Sequence, residues 1–167
     1  MANILQPSDF TGRYDIGQNG YTVTDLQGFI DFYEEDYLQF LLGCELYDLF
    51  VADLLNGEPQ TPIYQAIFNS FCIDQDNCII KSAGMKDMLK AFIYFEYARK
   101  SDDSVTISGN TQSSSDNSVK PSQIQAGLYN YYNEGINTYH AIQAYIKENE
   151  TDYPTYNGQP KRISTWV

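Results

Sequence analysis

Three cysteines, one histidine and 22 carboxylates are the groups of this 167-residue chain that could do chemistry. Their spacing decides which chemistry is open to them. A di-iron centre in a helical bundle needs Glu-x-x-His twice, but His140 is the single histidine and Asn137 stands three residues before it. A nucleophile pair would also have to use His140, and its neighbours on a helix face, Ile136, Asn137 and Ala144, include no carboxylate to orient the ring. Cys44, Cys72 and Cys78 lack the C-x-x-C spacing of a zinc or redox site and read as small apolar residues of a core. Gly12-x4-Gly17 has the glycine spacing of a phosphate loop, yet Gln18 and Asn19 stand where Lys and Ser or Thr are required. Asp74-Gln75-Asp76-Asn77-Cys78 begins like a calcium loop, but Ile79 replaces the turn glycine and Met85 the bidentate Glu, which leaves a polar loop between helices.

The densest acid group is Asp31, Glu34, Glu35 and Asp36. On a helix Asp31 and Glu35 are neighbours while Glu34 and Asp36 point elsewhere, so the group reads as a solvated acidic face and not as a pair with separated pKa values. No catalytic, cofactor-binding or metal-binding residue is assigned, and the expectation is a protein that is not an enzyme and carries no cofactor.

The elements that position these groups follow from the apolar spacing. Thr24 and Gln27 have the spacing of a capping box, and Leu26, Phe29, Ile30, Tyr33, Tyr37 and Phe40 recur every three or four residues, predicting a helix over 25–42. Gly43 breaks it, and Leu46, Leu49, Phe50 and Leu54 carry a second helix over 44–55, ended by Asn56-Gly57. Thr61-Pro62 opens a third over 62–72. Ser82 caps a fourth over 83–100, whose apolar residues cover more than half its circumference, so it is the central helix. Ile124, Leu128, Tyr131, Gly135, Tyr139, Ile142 and Ile146 form a stripe over 122–148, about 40 Å of helix.

The fold class expected is therefore all-α: a small helical bundle with a long C-terminal helix, extended terminal arms and a Ser-rich protruding loop. Its divisions are an N-terminal arm over 1–23, a helical domain over 24–149 that includes the loop 101–121, and a C-terminal arm over 150–167. Within the loop only Val105-Thr106-Ile107 could pair as a strand. The C-terminal arm is too rich in Pro and Gly for a helix and too aromatic for a solvated tail. Tyr153, Tyr156, Lys161, Arg162, Ile163 and Trp166 are its candidate partner-binding residues, expected to dock on a neighbouring subunit or partner.

Composition limits the function classes. Aromatics number 25 (15 Tyr, 9 Phe, 1 Trp), enough to build a core, and the net charge is −12. Residues 1–60 hold 11 acids against one base, Arg13, so tight binding to duplex nucleic acid is excluded for most of the surface. No 20-residue apolar stretch or basic-apolar leader is present, which predicts no membrane partner and reduced thiols in a cytosol. The Asn149-Glu150-Thr151 sequon is read as chance.

Taken in order, the segments Glu35-Asp36-Tyr37-Leu38-Gln39-Phe40-Leu41-Leu42-Gly43, Leu46-Tyr47-Asp48-Leu49-Phe50, residues 84–97 (Gly84-Met85-Lys86-Asp87 through Phe95-Glu96-Tyr97) and Tyr131-Tyr132-Asn133-Glu134-Gly135-Ile136-Asn137-Thr138-Tyr139 resemble the head-tail connector (head-completion or adaptor) proteins of tailed bacteriophages. The likeness spans about 24–149. It implies a helical subunit, made in the host cytoplasm, that forms a ring, twelve-fold in the family, in the virion neck between capsid portal and tail. The implied partners are the portal protein, neighbouring copies and tail or further neck proteins, with DNA only a passing cargo repelled by a like-charged wall. Asp25, Asp31, Glu34, Glu35, Asp36, Glu45, Asp48 and Asp53 are the candidate channel-facing acids. The Ser-rich segment and the aromatic C-terminal arm depart from the shorter members of the family. The alternative reading is an acidic helical adaptor or DNA-mimic inhibitor that binds a basic protein.

Overall fold

The structure is a computed structural model and describes residues 4–16, 20–75, 78–102, 104–106, 109–111 and 121–161. Arg162, Ile163, Trp166, Ile107 and most of the Ser-rich loop lie outside the described residues. Five α-helices make up most of it: α1 (Gly20–Leu42), α2 (Cys44–Ala52), α3 (Pro62–Phe68), α4 (Met85–Asp102) and α5 (Pro121–Glu148). Three two-stranded antiparallel hairpins join them: β1 (Leu54–Leu55) with β2 (Glu58–Pro59), β3 (Phe71–Gln75) with β4 (Cys78–Ser82), and β5 (Ser104–Thr106) with β6 (Gly109–Thr111). The fold is thus mostly helical but not purely all-α.

Each hairpin replaces something the helical period had absorbed. Asn56 and Gly57 both have positive φ (54° and 78°), the geometry of a tight hairpin turn, so the pair folds Leu55 against Glu58 instead of ending a helix, and α2 stops at Ala52. Residues 71–82, expected as a helix end and a polar loop, pair from Phe71↔Ser82 to Gln75↔Cys78. Ser82 therefore sits in β4, its Oγ accepting from the Gly84 amide at 3.1 Å, and α4 starts at Met85. The capping box at Thr24 is unused, because α1 already begins at Gly20.

The core lies between α1, α4 and α5. Along α4, Met85, Met88, Leu89, Ala91, Phe92, Ile93 and Phe95 are all buried, which makes it the central helix as its composition predicts. It crosses α5 at Gly135, where an added Cβ would lie 2.8 Å from Phe92 Cε1 and 3.2 Å from Ala91 Cβ. The close crossing lets the Phe92 ring meet Tyr132 (5.2 Å between centroids), Tyr139 (6.4 Å) and, from α1, Tyr37 (4.6 Å).

The N-terminal segment is part of this body. Ile4, Leu5, Phe10 and Tyr14 are buried, and two single 3-10 turns, Pro7–Asp9 and Gly12–Tyr14, carry the chain between them. The segment expected as an extended arm is held by three kinds of contact. The Ile4 and Leu5 amides donate to the two Glu34 oxygens at 2.8 and 2.9 Å. Arg13 pairs with Asp87 on α4 and Glu134 on α5 (3.3 and 2.5 Å). Tyr14 packs among Tyr94 and Tyr131.

Candidate interaction surface

The sequence candidates fall into two groups, the carboxylates of α1 and α2 and the C-terminal segment, and the structure brings the C-terminal segment to the joint between those helices, beside Asp36 and Glu45. Gly43 makes that joint. Its φ of +80° is open to glycine at little cost, and it breaks the helix so that Leu42 ends α1 and Cys44 starts α2. A break strands the last carbonyls of α1, which need donors from elsewhere. The C-terminal segment supplies them: the Asn157 amide donates to Leu42 O at 3.3 Å and the Gln159 amide to Phe40 O at 2.7 Å.

Two glycines make the approach possible. A Cβ on Gly43 would stand 2.8 Å from the Asn157 carbonyl carbon, and one on Gly158 would overlap Leu41 O at 2.0 Å. The strap is fixed on its other side by α5, where Gln143 Nε2 donates to Gln159 O at 3.0 Å. The Tyr139 hydroxyl lies 2.8 Å from Phe40 O and 2.5 Å from Gln159 O, one proton between two carbonyls. His140 Nε2 is 2.5 Å from Lys161 O, so the histidine considered for catalysis is engaged by the strap.

The partner-binding residues that are described are therefore largely turned inward. Tyr153 is buried and its hydroxyl donates to Ile63 O in α3 at 2.5 Å. Tyr156 is half-buried, and Lys161 Nζ sits 3.9 Å from the Tyr37 ring centroid with Phe92 at 5.0 Å. Burial lowers the Lys161 pKa to about 8, against the opposing pull of Glu96 and Asp36. The expectation that Tyr153 and Lys161 reach a neighbour is corrected: this part of the arm docks on its own helices, because α1 offers it unfilled carbonyls at a glycine break.

Among the carboxylates, Asp25, Asp31, Asp36, Glu45 and Asp48 are exposed and Glu35 is half-exposed. Asp31 accepts from Gln27 (2.9 Å) and Glu35 from Gln39 (3.0 Å), as neighbours along one solvated face do. Two of the eight leave the set. Glu34 is buried against the N-terminal segment, and desolvation raises its pKa to about 7 in spite of the two amides that favour its charge. Asp53 is tied into the connection to α3, accepting from the Thr61 hydroxyl (2.5 Å), the Gln60 amide (2.7 Å) and the Thr61 amide (2.8 Å), bonds that hold its pKa below the usual value.

Sequence reasoning missed the apolar part of this surface. Phe40 and Leu49, counted in the buried stripes, are 53% and 50% exposed, and Phe32 is 65% exposed. The signal was available in the wheel of α1, which carries more apolar residues than one face can bury, with Phe32 and Phe40 two turns apart among Asp25, Asp31 and Asp36. Phe40 borders an open groove of about 600 Å³ with Asp36, Gln39, Glu45 and the strap residues Thr155 and Tyr156. Cys44 and Cys72 are exposed free thiols and not core residues. Among the described residues no helix is long and apolar enough to cross a membrane. No family model, curated protein or solved structure matches the chain.

Proposed function

We propose that this chain is a structural virion protein, a head-tail connector or adaptor subunit that acts by assembly at the portal vertex and performs no catalysis. The observation that carries this reading is the outer face of α1 and α2, where large apolar side chains (Phe32, Phe40, Leu49) stand exposed among Asp25, Asp31, Asp36, Glu45 and Asp48. Exposed aromatics in a polar surround are the usual anchors of protein contacts. The one base of residues 1–60, Arg13, pairs with Asp87 and Glu134, so α1 and α2 themselves contribute only acidic charge to this face. In a ring, the apolar residues make the contact between copies or with the portal, and the carboxylates line the passage and keep DNA from adhering.

The test is localisation in intact particles by electron microscopy, with the chain expected between portal and tail. A chain absent from particles, found instead as a small soluble species bound to a basic protein with steep salt dependence, replaces the connector by the acidic adaptor.

A further inference from the structure

The open groove of about 600 Å³ beside the α1–α2 joint has fixed walls and an unbalanced charge. One wall is the end of α1 and the start of α2, with Asp36, Phe40, Cys44 and Glu45, and the other is the strap, with Thr155 and Tyr156. The Phe40 carbonyl accepts from the Gln159 amide at 2.7 Å and from the Tyr139 hydroxyl at 2.8 Å, which ties the walls together. Phe40 is therefore held through its backbone while its ring stays 53% exposed. A large apolar side chain on a fixed backbone at the edge of a groove loses little freedom on binding, as an anchor of a contact requires.

Asp36 and Phe40 are four residues apart on α1, and Glu45 and Leu49 are four apart on α2, so each helix sets a carboxylate one turn from an apolar side chain. All four are exposed. Among the described residues no Lys, Arg or His lines the groove, and neither Asp36 nor Glu45 is in an ion pair. Lys161, on which Asp36 acts, turns its ammonium to the Tyr37 ring 3.9 Å away. An occupant must bring positive charge together with apolar surface. Duplex nucleic acid and anionic lipid carry the wrong sign. A second copy is a poor match, because its own α1 and α2 are acidic and its Arg13, Lys86, Lys90 and Arg99 already hold carboxylates.

We infer that this groove takes a basic segment of a different protein chain, with an apolar side chain packed on Phe40 and Lys or Arg side chains meeting Asp36 and Glu45. The inference rests on the reading of the outer α1–α2 face as a contact surface and gives that contact its chemistry.

Cys44, an exposed thiol in the groove, reports occupancy, and Cys72, an exposed thiol on β3, is the internal reference. The probe is the synthetic peptide acetyl-Lys-Lys-Phe-Leu-Arg-Lys-amide, added to the reduced full-length chain. Maleimide modification of each cysteine is followed by mass spectrometry, and protection is the ratio of rates without and with peptide. The peptide should slow modification of Cys44 and leave Cys72 unchanged, with protection falling as salt rises. Asp36→Asn with Glu45→Gln should weaken peptide binding by about three- to tenfold, and Phe40→Ala by about tenfold or more, with unchanged circular dichroism. Replacing the peptide's Phe and Leu by Ser should match Phe40→Ala. Asp25→Asn, 11 residues and about 16 Å along α1 from Asp36, should leave binding as it was.

No protection of Cys44, equal protection of both thiols, or protection indifferent to Phe40→Ala overturns the inference. Cys44 protection that appears without peptide as the protein is concentrated assigns the groove to a second copy and overturns it too. The connector reading fails separately. A chain found between portal and tail whose groove ignores the peptide loses the basic partner alone, and a chain that binds the peptide but is absent from particles loses the connector role alone.

Discussion

Replacing Gly158 by Ala tests whether the strap completes the fold. The new Cβ would lie 2.0 Å from Leu41 O and 2.8 Å from Leu41 C, backbone atoms of a helix whose other side is buried. A C···O contact settles at about 3.3–3.6 Å, so the strap must retreat by more than about 1 Å. At that displacement the Gln159 and Asn157 amides leave Phe40 O and Leu42 O, now at 2.7 and 3.3 Å. Each bond contributes about 0.5–1.5 kcal/mol, and the Lys161 contact with Tyr37 about 0.5–2 kcal/mol. Against this, Ala restricts the unfolded chain and returns about 0.4–1 kcal/mol. The net expectation is a loss of about 1–3 kcal/mol in urea unfolding, with faster hydrogen exchange at the Asn157 and Gln159 amides. Gly127→Ala on α5, where a Cβ meets nothing within 4 Å, is the control and should stabilise by about 1 kcal/mol. If Gly158→Ala stabilises to the same degree and both amides stay protected, the strap is not seated as described.

Gly135→Ala gains about 1 kcal/mol of helix propensity but drives a methyl to 2.8 Å from a Phe92 ring fixed by Tyr37, Tyr132 and Tyr139; overpacking of about 1–3 kcal/mol should win, measured as a lower midpoint of thermal unfolding. Deleting residues 1–16 removes four buried apolar side chains at about 1.5–3 kcal/mol each, comparable with the whole stability of a domain, so the truncated chain should lose its cooperative transition; a folded product would show that the segment is dispensable. Glu34 holds its proton more tightly folded than unfolded, so its contribution is fully present below about pH 4.5 and is lost as pH rises through about 7. The stability of Glu34→Gln should therefore fall less over that window than the unaltered chain's, by at most about 1.4 kcal/mol per pH unit, and parallel curves would refute it. Charge reversal at Asp31 or Asp48, both exposed, should change stability by less than about 0.5 kcal/mol, confining any effect to association.

What the sequence determined by itself is the set of long helices and the central one. The α5 stripe from Leu128 to Ile146 and the all-round apolar surface of α4 impose a 3.6-residue period that no alternative pairing satisfies, and the expected bounds 122–148 and 83–100 differ from the observed ones by one or two residues. Of the four clustered acids, the solvated neighbours Asp31 and Glu35 were legible for the same reason, whereas Glu34, read as part of the same solvated group, is buried. The hairpins were less so: Phe71 to Ser82 fits helix or loop by composition, and only pairing across the turn decides for strands.

The tertiary structure alone decided what the irregular segments and single polar residues do. Glu34 is one of four clustered acids in the sequence and becomes an anchor because two amides 29 and 30 residues away arrive at its oxygens. Gly43 and Gly158 are 115 residues apart and act as one feature, since the first opens carbonyls that the second lets a strap approach. Local spacing encodes the period of a helix and so reveals which residues share a face. It carries no record of which distant segment will satisfy a backbone group left open at a helix end, because that match exists only after the chain has closed on itself.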